Sequence, residues 1–327
     1  MDFNYRIPPE CQKIAQVLLH SDNILVVPHI NIDGDDLGSM VACAQILKGL
    51  RKNYYLYSPD GAPDIFRFMK NTAEIHTELP DQAQFDVALV LECPQQSRLP
   101  QGLNLYSICN KVINLDHHPM NKLEADYNWI DPSFAALGEM LYFVFKAMDA
   151  EINRECAEAL YTSIISDSGS FRFPKTSPRT HQVAAHLLSI LGDISYIHNH
   201  IFSGFTLNDL QLQAMCMQTL KTYAEGKLVT ACLTKEMLQH CGVDENNTQM
   251  LLARLNVLRG SEIFAFFKAV VPGEVRVSLR STDRKINDIA ARHEGGGHDQ
   301  AAACRFHNQS LEEVYNILLP ELLAKFD

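Results

Sequence analysis

Three short runs of apolar residues, each ending in polar side chains, constrain the fold of this chain more than any other feature of its sequence. The runs cover residues 24–27, 87–91 and 112–115, and none of them alternates between apolar and polar positions. Such runs are typical of strands buried on both faces, as in a parallel sheet that helices cover. The sequence therefore predicts a mainly parallel β-sheet in the first part of the chain.

Stretches with helical spacing of apolar residues accompany these runs, at residues 37–50, 134–148 and 154–165. Strands that alternate with helices indicate a doubly wound α/β domain. In such sheets ligands bind beyond the carboxyl ends of the strands. The polar residues that follow the three runs are therefore candidates for a functional site.

A second pattern, after residue 222, predicts a smaller α/β domain. Strands are expected at residues 228–233, 263–271 and 274–281, the last two as a hairpin, and helices at residues 246–258, 286–292 and 310–325. A chain of 327 residues exceeds one ordinary core. We expect a first domain at residues 1–190, a connecting helical segment at residues 191–222 and a second domain at residues 223–327.

Charge and composition exclude some classes of protein. The net charge of −11, from 28 basic and 39 acidic residues, disfavours a protein that grips long nucleic acid, because neutralising phosphates drives that binding. A short anionic substrate held by metal ions is compatible with it. The nine cysteines form no C-x-x-C pair, the first residues lack a secretory signal, and no apolar run reaches about 18 residues. We expect a cytoplasmic protein without a membrane span.

The first polar cluster follows the run at residues 24–27 and contains His29, Asp33 and Asp35. Imidazole and carboxylate ligands suit Mn²⁺ and related ions. Gly34 lets the backbone turn tightly so that the two carboxylates can converge, and a helix that starts near Asp36 would direct its positive end at a phosphate. On its own, the cluster also fits a polar surface loop with a capping Asp.

Three further clusters follow in chain order. Asp116, His117 and His118 follow the third run, and adjacent histidines point in different directions, so that one can bind a metal while the other faces a substrate. An Asp beside them can orient an imidazole through its second nitrogen. Asp167 lies at a predicted helix end, which also fits a plain helix terminus with a glycine stop, and Glu92 follows the second run.

Taken together, the four clusters surround one predicted sheet. Carboxylates that converge without partners repel one another and shift their pKa values, and a bound cation removes that repulsion. Several acids and two histidines are too many ligands for one ion, so the pattern indicates two metal ions.

These motifs, in this order, resemble the DHH phosphoesterase family, and within it the branch of nano-RNases and 3′-phosphoadenosine 5′-phosphate (pAp) phosphatases. The resemblance is carried in the first part of the chain by His29, Asp33, Asp35, Asp116, His117, His118 and Asp167. Near the C-terminus, Gly295, Gly296, Gly297 and His298 resemble the substrate-binding domain associated with that family.

The resemblance implies roles for these residues. One metal would be held by His29 and Asp33, and the other by Asp35, His117 and Asp167. The family usually has an Asp that bridges both ions where this chain has Glu92. His118 would face the substrate phosphate, and Asp116 would steady the site without binding a metal.

The C-terminal cluster also has a physical interpretation. On a strand at residues 274–281, Ser278 and Arg280 share one face, and the three glycines let backbone N–H groups approach an anion. An arginine beside such a loop is suited to grip a phosphate, together with His298. The alternative is an edge strand whose charges are simply solvated.

The resemblance implies a metal-dependent phosphoesterase that hydrolyses short oligoribonucleotides, pAp or both. His118 and Arg280 would counter the charge on the phosphoryl oxygens. Two divalent ions are expected, Mn²⁺ in the first place, with Mg²⁺ or Co²⁺ as alternatives. Partners would be short nucleotides, with no long duplex and no membrane, and a homodimer stays open. The rival hypotheses are a linear or cyclic dinucleotide phosphodiesterase and, because of Glu92, a non-catalytic nucleotide-binding protein.

Overall fold

The computed structural model describes residues 7–203, 206–244 and 258–326. The chain divides into two compact units, Met1–Gly204 and Phe205–Asp327. The helix expected at residues 246–258 lies, apart from its last position, outside the described residues. Within the described residues, no helix has both the length and the apolar character that spanning a bilayer requires.

The first unit is built on a six-stranded sheet whose paired strands are all parallel. Its strands are β1 (Asn23–Pro28), β2 (Asn53–Tyr57), β3 (Ile75–His76), β4 (Phe85–Leu91), β5 (Cys109–Asp116) and β6 (Tyr127–Ile130), in the order β3-β2-β1-β4-β5-β6. The three apolar runs are the central strands β1, β4 and β5, and their interpretation as buried parallel strands is confirmed.

Helices cover one face of this sheet. They are α1 (Pro9–His20), α2 (Gly34–Gly49), α4 (Leu137–Ala147), α5 (Arg154–Asp167) and α6 (Pro178–Leu191), with the short α3 (Leu105–Ile108) on the opposite face and α7 (Ser195–His198) leading into a π-helix, Asn199–Ser203. Along β1, Ile24 and Val26 pack into the main core, whereas Leu25 and Val27 pack into the core on the other face. Apolar residues are therefore needed at each of these four positions.

The helices α2, α4 and α5 approach one another closely. A Cβ atom at Gly38 would lie 2.5 Å from the carbonyl oxygen of Ala159, and one at Gly138 would overlap the side chain of Ser163. Glycine is required at both positions because the backbones meet there without room for a side chain. The three helices are therefore closely packed against one another next to the polar clusters.

The second unit contains a mixed six-stranded sheet. Its elements are α8 (Leu207–Gln218), β7 (Lys221–Tyr223), β8 (Leu228–Thr234), α9 (Lys235–Cys241), β9 (Ile263–Ala269), β10 (Glu274–Ser281), α10 (Asn287–Arg292), β11 (Gly296–His298), β12 (Ala301–His307) and α11 (Leu311–Leu323). The strand order is β11-β12-β10-β9-β8-β7, and only the pair β8–β9 is parallel among the described strands. The expected hairpin of β9 and β10 is present, and the fold class predicted from sequence is confirmed for both units.

The topology of the first sheet fixes where a site can form. β1 pairs with β2 on one side and β4 on the other, so the strand order reverses there, as at the ligand-binding crevice of other doubly wound sheets. The register aligns Pro28 with Leu91 and Leu91 with Leu115. His29, Glu92 and Asp116 therefore leave three adjacent strands at the same level.

Candidate metal centre

His29 follows β1 and is 7 % exposed. Its Nδ1 lies 2.8 Å from the carbonyl oxygen of Ile30, which acts as the acceptor when that nitrogen carries the proton. This hydrogen bond leaves Nε2 with a lone pair, which lies 3.2 Å from Oδ2 of Asp36. Burial lowers the pKa of His29 and so favours the neutral form that binds metals.

Asp33 caps the N-terminus of α2. Its Oδ1 accepts hydrogen bonds from the backbone N–H groups of Asp35, at 2.9 Å, and Asp36, at 3.1 Å. A Cβ atom at Gly34 would overlap Ser166 of α5 and the ring of Phe66. Gly34 is therefore required by crowding rather than by an unusual φ, and the first turn of α2 is pressed against α5.

Asp35 is buried and held from two further helices. Its oxygens accept from the backbone N–H groups of Leu137, at 2.7 Å, and Gly138, at 3.2 Å, and from the hydroxyl of Ser163. The N-terminus of α4 thus directs its positive end at this carboxylate. Burial and the nearby carboxylate of Glu92 nevertheless raise the pKa of Asp35 well above its ordinary value.

Glu92 occupies a strained backbone position directly after β4, with φ of 49°. Its side chain is buried, and its Oε1 has no hydrogen-bond partner within the described part of the chain. That oxygen lies 3.0 Å from Nε2 of His117. Burial and the carboxylate of Asp36 raise the pKa of Glu92 well above its usual range.

Three carboxylates lie within 4 Å of Nε2 of His117. Its Nδ1 lies 3.2 Å from the carbonyl oxygen of Phe134, while its Nε2 lies 3.5 Å from Asp167 and 3.8 Å from Asp35 in addition to the Glu92 contact. The Phe134 carbonyl fixes which nitrogen carries the proton and leaves Nε2 as the donor to a metal. Asp167 is the more accessible member, with its side chain 39 % exposed.

Asp116 has a different role from these acids. It accepts hydrogen bonds from the backbone N–H of His118 at 2.8 Å, from Nδ1 of His118 at 2.7 Å and from the amide of Asn121 at 2.6 Å. Burial would raise the pKa of Asp116, but these hydrogen bonds outweigh it and the pKa is lowered. Asp116 therefore orients His118, whose side chain is 30 % exposed at the edge of the site.

Two groups of donor atoms can hold metal ions. One contains His29, Asp33, Asp36 and Glu92, and the other Asp35, Glu92 and His117, with the donor atoms in each group within 4.8 Å of one another. Both oxygens of Asp36, Oε1 of Glu92 and Nε2 of His117 are buried without hydrogen-bond partners among the residues described. Such orphaned donors fit a cation, and Glu92 belongs to both groups.

Asp36 is the member that sequence reasoning missed. An acid in the first turn of a helix is explained by the helix dipole alone, so the sequence predicts only a helix start at Asp36. The signal in the sequence was the third acid of the run Asp33, Gly34, Asp35, Asp36. Its burial follows from the packing of α2 against other elements, which the sequence does not show.

The C-terminal residues named from sequence lie on one sheet of the second unit. Ser278 and Gly296 are both paired with Ala303, and Arg280 and His298 are both paired with Ala301. Two cross-strand rows therefore run over β10, β12 and β11: Ser278, Ala303 and Gly296 form one, and Arg280, Ala301 and His298 form the other.

The glycines in those rows differ in their surroundings. A Cβ atom at Gly295 would overlap the backbone at Ala303, and Gly297 combines a φ of 134° with a similar overlap at Ala301. Gly296 instead faces open space, with no atom of the described chain within 4 Å of where its Cβ would lie. Space for a side chain is therefore present at Gly296, unlike at Gly295 and Gly297.

Two family models of known proteins match this chain. Residues 23–164 match the family model for the DHH family N-terminal domain, and residues 225–325 match the model for the DHHA1 domain. These matches confirm the resemblance predicted from the motifs.

Relatives and a solved structure extend the comparison. A protein of Bacillus subtilis named bifunctional oligoribonuclease and PAP phosphatase NrnA is 25 % identical over 300 residues, covering 91 % of this chain and 93 % of that protein. The protein of the same name from Thermus thermophilus is 27 % identical over 325 residues, covering 98 % and 96 %. An exopolyphosphatase-related protein from Bacteroides fragilis shares the fold, with a TM-score of 0.86, 21 % identity and 96 % coverage of both chains.

Proposed function

Since the chain belongs to the DHH family, with the family's N-terminal domain followed by a DHHA1 domain, we propose that it is a metal-dependent phosphoesterase that hydrolyses short oligoribonucleotides and pAp. The observation that carries the proposal is the pair of donor groups that share Glu92. The relatives named above as oligoribonuclease and PAP phosphatase, aligned over more than nine-tenths of the chain, support this substrate class.

We propose that the site holds two divalent ions, preferentially Mn²⁺. Mixed imidazole and carboxylate donors suit this ion, and a shared carboxylate is suited to bridge a pair of ions. His29 and Asp33 would hold one ion, and Asp35, His117 and Asp167 the other. When bound, such ions polarise phosphoryl oxygens and make a water molecule more acidic.

The residues of the chain would position the substrate at this centre. Asp116 holds the backbone and Nδ1 of His118, so that the opposite edge of the imidazole would meet a phosphoryl oxygen and counter its charge. Asp167, the accessible acid, would mark the side from which the substrate enters. We place the enzyme in the cytoplasm, where its nine free cysteines would stay reduced.

In the second unit, Ser278, Arg280, Gly295, Gly296, Gly297 and His298 would bind a phosphate or sugar group of the substrate. The three glycines have no side chains that would keep such a group away from backbone N–H groups. Arg280, half-buried two positions along the same face from Ser278, would supply the positive charge.

The proposal is tested with the purified protein, Mn²⁺, pAp, a labelled diribonucleotide and a cyclic dinucleotide. We expect turnover of the first two, and a loss of about a thousandfold or more in Asp167→Asn, because a metal ligand is worth several kcal/mol to the transition state. Asp64→Asn, which removes an exposed carboxylate outside both donor groups, is the matched control.

Wild-type protein as inert as Asp167→Asn on all three substrates would overturn the proposal. Glu92→Asp would then show whether the longer side chain is the cause, because that change restores the residue the family usually has. Turnover confined to the cyclic dinucleotide would favour the rival phosphodiesterase.

A further inference from the structure

Asp36 stands apart from the other buried acids of the first unit. It is 0 % exposed, and neither of its carboxylate oxygens has a hydrogen-bond partner among the described residues. Glu139, equally buried, receives hydrogen bonds from the backbone of Ala135, from Thr180 and from Arg179. Among the described residues, hydrogen bonds satisfy the carboxylate of Glu139, whereas the carboxylate of Asp36 receives none.

A carboxylate buried without donors is costly, and proteins resolve the cost by a proton or by a cation. The surroundings of Asp36 favour the cation. Its Oδ2 lies 3.2 Å from Nε2 of His29, and one of its oxygens lies within 4.8 Å of donor atoms of His29, Asp33 and Glu92. These three residues offer the donor types that divalent ions bind.

We propose that Asp36 is a direct ligand of the metal ion on the His29 side of the centre, so that His29, Asp33, Asp36 and Glu92 together hold this ion. The inference rests on the proposed function, since it presumes that the centre binds metal. It goes beyond the family resemblance, which assigns only His29 and Asp33 to this ion alone and a bridging acid to both.

The added ligand gives the two halves of the centre the same kinds of donor. On the His29 side, Asp33, Asp36 and Glu92 offer three carboxylates, and His29 offers one imidazole. On the other side, Asp35, Glu92 and Asp167 offer three carboxylates, and His117 offers one imidazole. Loss of Asp36 should therefore weaken the ion on the His29 side and leave the other ion in place.

The experiment measures metal binding rather than turnover. Metal-free wild type and the variants Asp36→Asn, Asp33→Asn, Asp167→Asn and Asp64→Asn are titrated with Mn²⁺, and bound metal is measured by equilibrium dialysis and electron paramagnetic resonance. Wild type and Asp64→Asn should bind two ions with a spin-coupled spectrum. Asp36→Asn and Asp33→Asn should bind the ion on the His29 side at least about tenfold more weakly, and Asp167→Asn should bind the other ion more weakly.

Thermal unfolding supplies a second readout. Without metal, Asp36→Asn should melt at a higher temperature than wild type, because a buried carboxylate without partners has been removed. With saturating Mn²⁺ the order should reverse, since the variant gains less from the metal. Asp64→Asn should follow wild type under both conditions.

Two results separate the inference from the proposed function. If Asp36→Asn binds both ions with the affinity of wild type, Asp36 is not a ligand and the inference is wrong while the metal centre stands. If wild type itself binds no ion, both fail. Near-ultraviolet circular dichroism checks that Asp36→Asn is folded, and Asp36→Ser undergoes the same titration if it is not.

Discussion

Two groups of charged residues, one in each unit, are built in opposite ways. In the second unit, three carboxylates each face a cationic side chain, and we call these contacts the C-terminal ion pairs. They are Glu262 with Arg284 at 2.5 Å, Asp288 with Lys325 at 2.8 Å, and Glu321 with Arg292 at 2.8 Å. In the first unit, Asp35, Asp36 and Glu92 face one another and two imidazoles.

The pKa values of the two groups move in opposite directions. The hydrogen bond from Arg284 lowers the pKa of Glu262, and that from Lys325 lowers the pKa of Asp288. Burial raises the pKa values of Asp36 and Glu92 well above their ordinary range. Charges of the second unit are thus neutralised by partners within the chain, whereas the buried carboxylates of the first unit are suited to a cation that the chain does not itself supply.

The largest expected effect follows from the residue shared by both donor groups. Glu92→Gln should reduce kcat/KM with Mn²⁺ by about a thousandfold or more, because a neutral amide replaces the carboxylate that belongs to both donor groups. Unlike Asp36→Asn, it should weaken the binding of both ions, as equilibrium dialysis would reveal. If Glu92→Gln binds two ions as tightly as wild type does, Glu92 is not a metal ligand, and its buried carboxylate needs another explanation.

The second effect concerns pH. Because the pKa values of Asp35, Asp36 and Glu92 are raised in the folded state, the folded metal-free protein holds more protons than the unfolded chain. The stability that these three groups contribute is then fully present below about pH 4 and is lost as pH rises through the raised pKa values. For each group, the free energy of unfolding falls by about 1.4 kcal/mol for every pKa unit by which the folded pKa exceeds the unfolded one.

This dependence is measured by urea unfolding with a chelator between about pH 5 and pH 8. Saturating Mn²⁺ should reverse the trend, because metals bind the deprotonated ligands. If the free energy of unfolding of the metal-free protein stays constant or increases over that interval, the pKa values of the three carboxyl groups are not raised.

A smaller effect separates two arginines on one face of β10. The guanidinium of Arg276 faces the carboxylate of Glu274, whereas Arg280 lies in the same cross-strand row as His298, since both pair with Ala301. Arg280→Ala should raise KM about tenfold to a hundredfold with little change in kcat, since a charge-assisted hydrogen bond to phosphate is worth about 1.5–3 kcal/mol. Steady-state kinetics on pAp check this, with Arg276→Ala as control. Equal effects of both variants would remove Arg280 from the substrate site.

The smallest effect lies in the C-terminal ion pairs. Arg292→Ala should lower the free energy of unfolding by less than about 1 kcal/mol, because its side chain is half exposed and such pairs contribute little. The kinetic constants and the number of bound Mn²⁺ ions should not change. A loss of activity without unfolding would show that these charges, too, serve the substrate.

Sequence reasoning predicted the candidate metal centre because most of its residues follow directly from the ends of three strands. The central parts of β1, β4 and β5 are buried on both faces and so are almost entirely apolar, and the three strands continue directly into His29, Glu92 and His117, respectively. β2 and β6 were missed, because they are only half-buried and their sequences mix polar and aromatic residues. A test for continuous apolar runs does not find such strands.

The partners of the site residues could not be read from the sequence in the same way. That Asp116 holds His118, while a carbonyl holds His117, depends on side-chain directions after β5. That Ser163 and the N-terminus of α4 hold Asp35 depends on helices more than 100 residues away. Such contacts are properties of the packed structure rather than of any local motif.

The crowding at Gly34 and Gly138 limits how this protein can evolve. A side chain at position 34 would meet Ser166 and Phe66, and a side chain at position 138 would meet Ser163. Substitutions at positions 34 and 138 are therefore epistatic, because each is harmful unless smaller residues have first replaced those it would meet. Lineages with a larger residue at position 34 or 138 should carry smaller residues at the facing positions, whatever substrate they have come to use.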